Sequence, residues 1–79
     1  MANYFTACTI TYGYGETEEI TPEMLAPMNE NDIVTHAMAN CHGEPFWIDL
    51  HMDFMGLDRQ HSYDSRLQEW TTYIPNKGA

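Results

Sequence analysis

The chain has 79 residues, with 3 basic against 12 acidic side chains, a formal net charge of −9, and 43% hydrophobic residues that include two Trp, five Tyr and three Phe. That apolar and aromatic content excludes a disordered chain, and the length points to one domain over residues 1–79, near the lower limit for folding alone. The charge argues against direct contact with nucleic-acid phosphates and for contact with a basic protein surface.

Residues 3–12, NYFTACTITY, alternate and are rich in aromatic and β-branched types, so a strand is expected, broken by Gly13-Tyr14-Gly15. Glu16, Glu18 and Glu19 then crowd three acids into four residues. Thr21-Pro22-Glu23 carries a capping hydroxyl, a proline at the first helical position and an acid in the first turn, which starts a short helical turn ending before Pro27. A second start at Asn29-Glu30-Asn31-Asp32 precedes Ile33, Ala37 and Cys41 on one helical stripe, so the main helix is expected over 31–41, closed by His42-Gly43.

Residues 46–55, FWIDLHMDFM, form the strongest strand signal, with Phe46, Ile48, Leu50, Met52 and Phe54 on one parity and Trp47, Asp49, His51, Asp53 and Met55 on the other. The polar run 57–64 is expected to be a loop. Residues 65–74 suit either a helix, through Leu67, Trp70 and Ile74, or a strand, through Trp70-Thr71-Thr72-Tyr73-Ile74. The strand is preferred because two strands alone make a poor sheet. Residues 75–79 read as a flexible tail. The expected fold is α+β, a small antiparallel sheet of about three strands packed against one main helix.

No motif carries catalysis. Cys41-His42 are adjacent, and adjacent side chains seldom face each other as a thiolate–imidazole pair must; Cys41 suits a buried helix position and His42 a helix end. Possible metal ligands are Cys8, His36, Cys41, His42, Asp49, His51, Asp53, Asp58 and His61, yet no paired Cys/His spacing of the structural-zinc kind occurs. Asp49 and Asp53 would stand about 13 Å apart along a strand, too far for a glycosidase pair. Neither a cofactor nor a metal is expected. Cys8 and Cys41 are the only cysteines, and their pairing stays open. The first residues lack a charged n-region and no stretch reaches the length of a membrane span, so a cytosolic location with reduced thiols is expected.

The acids fall into clusters: Glu16, Glu18, Glu19 and Glu23; Glu30 and Asp32; Glu44, Asp49 and Asp53; Asp58 and Asp64; and Glu69. Acids at i and i+2 of a strand recur about every 6.6–6.8 Å, of the same order as the phosphate spacing along a nucleic-acid strand. Such a surface fits a Lys/Arg-lined groove, in which arginine binds carboxylates bidentately. Glu16, Glu18, Glu19, Glu30, Asp32, Asp49, Asp53 and Asp58 are the expected partner-binding acids, with Trp47 as an aromatic anchor beside them.

In size, acidity and aromatic content the whole chain resembles the small phage-encoded anti-CRISPR proteins, several of which resemble DNA in charge. The resemblance implies a cytoplasmic α+β protein of a bacterial host cell. It would bind a CRISPR surveillance complex, a type I Cascade of subtype I-C or I-F, and block target DNA without catalysis. The alternatives are a small phage structural or assembly protein and a metal-binding module.

Overall fold

In a computed structural model, which describes residues 4–54 and 57–73, the alternating segment 5–12 forms strand β1 (Phe5–Tyr12). It turns through Gly15, whose positive φ of 103° suits glycine, with Tyr12 N–H donating to Glu16 O at 2.8 Å. The acidic segment then pairs back as β2 (Thr17–Ile20), a strand its composition did not announce. Gly13 is needed for another reason: its N–H donates to Pro45 O at 2.8 Å, and a Cβ there would meet that same oxygen at 3.0 Å.

Two helices follow. α1 (Pro22–Leu25) starts where Thr21 accepts from Met24 N–H, and it seats Leu25 against β1. α2 (Glu30–Asn40) begins with a reciprocal capping box: Asn29 accepts from Asp32 N–H at 2.8 Å and Asp32 accepts from Asn29 N–H at 3.0 Å. It ends where His42 and Gly43 both take positive φ, 54° and 79°. α2 points Ile33 and Ala37 inward, as the stripe in the sequence requires.

The rest of the chain is sheet. β3 (Phe46–Phe54) and β4 (Leu57–Asp64) are antiparallel, and β4 turns through 65–68 into β5 (Glu69–Tyr73). All five strands make one antiparallel sheet in the order β2-β1-β3-β4-β5, so the helical connection from β2 to β3 passes over β1.

The fold is therefore α+β, with two corrections to expectation. The sheet has five strands rather than three, and 57–64 is a strand, not a loop. The preference for strand over 65–74 is met by β5 within 69–73, while residues 74–79, with the expected tail, lie outside the described residues.

The core is one layer between sheet and helices: Cys8, Ile10, Tyr12, Ile20, Leu25, Ile33, Ala37, Cys41, Phe46, Ile48 and Leu50. Among the described side chains, β4 and β5 add nothing fully buried; Tyr63 and Trp70 pack half-buried at its border. Phe46 stacks on Tyr63 at 5.8 Å and Tyr63 tilts against Trp70 at 5.0 Å, extending the core sideways as an aromatic ladder. No helix among the described residues is long and apolar enough to cross a membrane.

Candidate functional site

The strand register sorts the side chains into two faces. On the helix side, Ile20, Cys8, Leu50, His61 and Thr72 form one row, and Glu18, Ile10, Ile48, Tyr63 and Trp70 the next. On the opposite, open face the rows are Glu19, Thr9, Asp49, Ser62, Thr71 and Thr17, Thr11, Trp47, Asp64, Glu69. Asp53 and Asp58 form a further pair at the β3–β4 end.

The open face thus gathers Glu19, Asp49, Asp53, Asp58, Asp64 and Glu69. Neighbouring strands lie about 4.7–4.9 Å apart, so Glu19 and Asp49, two strands removed, are separated by about twice that. Asp53 sits directly across from Asp58, and Asp64 directly across from Glu69. Like charges directly opposite each other on a sheet destabilise it. The carboxylates of Glu19, Asp53, Asp58 and Glu69 make no hydrogen bond or ion pair among the described residues. Asp49 accepts through Oδ1 from Gln60 Nε2 at 3.2 Å and from Ser62 Oγ at 3.3 Å, which hold it upright.

Trp47 lies half-buried on this face, with the Arg66 guanidinium carbon 5.5 Å from its ring centroid. Arg66 Nε is also 3.6 Å from Asp64 Oδ1, and the same oxygen accepts from Arg66 N–H at 2.9 Å. Between β3, β4 and β5 lies a groove of about 360 Å³, walled by Trp47, Asp49, Ser62, Asp64, Glu69 and Thr71, with Leu67 at its rim.

The remaining expected acids lie elsewhere. Glu16 is exposed in the β1–β2 turn, Glu30 opens α2, and Asp32 serves in its capping box. Glu18 is on the helix side: it accepts from Tyr12 Oη at 2.7 Å and meets His36 Nε2 at 2.8 Å, joining β2 to α2. Burial alone raises its pKa, but the hydrogen bonds from Tyr12 and His36 and the charge of His36 prevail and hold it below the ordinary value. Burial and the bond to Glu18 push the Tyr12 phenol well above its ordinary range.

Tyr14 stacks on Tyr12 at 5.4 Å and donates to Asn40 O at 3.1 Å, tying the first turn to the end of α2. Asp64 and Glu69 were not among the expected site residues, because they belong to strands whose pairing the sequence leaves unmarked.

Cys8 and Cys41 are free and buried. Burial first, then the negative charges of Asp49 and Glu18, pushes the Cys8 thiol up to about 12, which makes it unreactive. Among the described residues no group of three His, Cys, Asp or Glu is placed to hold a metal ion. Compared with protein-family models, curated proteins and solved structures, the chain finds no match in any of the three.

Proposed function

We propose that the protein is a non-catalytic, stoichiometric inhibitor that presents its acidic open face to a basic, nucleic-acid-binding surface. The partner we favour is a CRISPR surveillance complex of the type I Cascade kind, in a bacterial cytoplasm, whose target DNA would be displaced. One observation carries this reading: six carboxylates share one solvent-facing sheet surface, two pairs of them directly opposed, and four of the six have no partner among the described residues. Repulsion held in this way is relieved by docking cations, and a field of one sign speeds the encounter.

The test is target-DNA binding by purified type I-C and I-F surveillance complexes, titrated with the protein. The expected outcome is loss of DNA binding in proportion to added protein, weakened by salt. Unchanged DNA binding at excess protein on every type I complex tested overturns the assignment.

A second reading, assembly with other copies or with phage structural proteins, draws on a different feature. A hollow of about 510 Å³ lined by Met38, Cys41, Pro45, Phe46, Ser65 and Arg66 lies beside the end of α2, with Met38 exposed. Sedimentation as a monomer over a wide concentration range removes self-assembly.

A further inference from the structure

We propose that the open-face groove between β3, β4 and β5 is an arginine-binding notch, which takes a guanidinium of the partner between the Trp47 indole and the carboxylates of Asp49, Asp64 and Glu69. The proposal rests on the anionic-face reading above and names the side chain that face selects.

Three features of the groove point to guanidinium rather than to cations in general. Its walls carry carboxylates on three strands, Asp49 on β3, Asp64 on β4 and Glu69 on β5, so a planar fork with several N–H donors can engage more than one of them. One wall is an indole, on whose face a guanidinium stacks while an ammonium acts only as a point charge. Leu67, 66% exposed, stands at the rim where the apolar stem of a long side chain passes.

The chain supplies an independent sign of the same chemistry. Its own Arg66 already places a guanidinium 5.5 Å from the Trp47 centroid and 3.6 Å from an Asp64 oxygen, a guanidinium–indole–carboxylate arrangement built from two of the notch residues. Arg66 engages Trp47 and one oxygen of Asp64, Oδ1, and the groove's other acids remain available: Glu69 has no partner among the described residues, and Asp49 is engaged only through Oδ1. Gln60 and Ser62 hold Asp49 in place, which lowers the cost of ordering it on binding. The volume, about 360 Å³, is at the small end of ligand sites and fits a single side chain. A bare metal ion fits worse, since among the described residues no three ligating side chains converge.

The test is a nuclear magnetic resonance titration of the full chain with N-acetyl-arginine methylamide and, separately, N-acetyl-lysine methylamide. The expected result is a saturable shift of the Trp47 indole N–H and the Thr71 amide, with arginine bound about tenfold more tightly than lysine. Glu69→Gln, a conservative exposed change, should weaken arginine binding severalfold, and Trp47→Leu, checked for retained amide dispersion, should erase the preference for arginine. Equal, unsaturable shifts with both amides, or shifts confined to residues 16–19, overturn the notch. If arginine binds while surveillance complexes keep their DNA, the notch stands and the proposed function falls. If DNA is displaced while arginine shows no preference over lysine, the proposed function stands and the notch falls.

Discussion

On the helix-covered face of the sheet, Ile10, Ile48 and Leu50 are fully enclosed, and the acid placed among them, Glu18, is held by Tyr12 and His36. One residue along the same strands, on the open face, Glu19, Asp49 and Asp53 stand exposed, and Asp64 and Glu69 oppose each other, with only Asp64 of the two meeting a cation, Arg66, among the described residues. On the first face the buried-side acid Glu18 is satisfied by Tyr12 and His36, as a part-buried charge requires. The second keeps repulsions that a surface built only for stability would shed. Under the proposed function, stability and binding are carried on opposite sides of one sheet, and substitutions that act on one side should leave the other nearly untouched.

The largest effect is expected on the covered side. Ile33→Ala or Ile48→Ala removes a fully buried side chain and should cost about 2–5 kcal/mol in urea denaturation. Thr9→Ala on the open face should stay within about 0.5 kcal/mol of the parent. Equal losses at both would erase the distinction between the faces. Cys8, buried with its pKa raised to about 12, should react with a thiol reagent only once the chain is unfolded; mass spectrometry after timed labelling reads this directly.

A smaller loss, about 1 kcal/mol, is expected for Glu18→Gln, because that carboxylate is a third exposed and partly screened. Its pH dependence follows in sign. The folded carboxyl titrates below its ordinary value of 4.5, so its contribution is complete above that value and is lost as pH falls through the folded pKa. Acid unfolding should therefore be shallower in Glu18→Gln than in the parent.

The smallest effect runs the other way. Asp58→Asn or Glu69→Gln relieves an opposed pair and should stabilise the fold by about 0.2–1 kcal/mol while weakening partner binding. If either variant destabilises the fold, the open-face acids are structural and the comparison fails.

The elements legible in the sequence are those that build the core. β1, α2 and β3 supply most of the buried residues, Cys8, Ile10, Tyr12, Ile33, Ala37, Phe46, Ile48 and Leu50, so burial enforces alternation in the strands and a stripe in the helix. β2 and β4 escaped for the opposite reason. β2 is four residues with two glutamates, held by a turn at Gly15. β4 is polar toward solvent, and on the helix side it carries His61 and Tyr63 at the margin of the core, so no apolar alternation marks it.

The β4–β5 turn was equally silent: its left-handed residue is Gln68, φ 55°, where a glycine or asparagine would have announced it. The site shares this division. The parity of Trp47, Asp49 and Asp53 is readable along β3. That Glu18 turns inward, and that Asp64 and Glu69 join the open face, depends on registers that only the folded sheet supplies.

The most direct test of the central claim holds charge constant and moves its place. Two variants each lose two acids: Glu19→Gln with Asp49→Asn on the open face, and Glu23→Gln with Glu44→Gln off it. Both are titrated into a type I surveillance complex holding labelled target DNA. A marked loss of inhibition for the open-face variant, with the other near the parent, is the predicted result. Equal potency of the two variants would contradict it, since total charge rather than the acidic face would then be what matters.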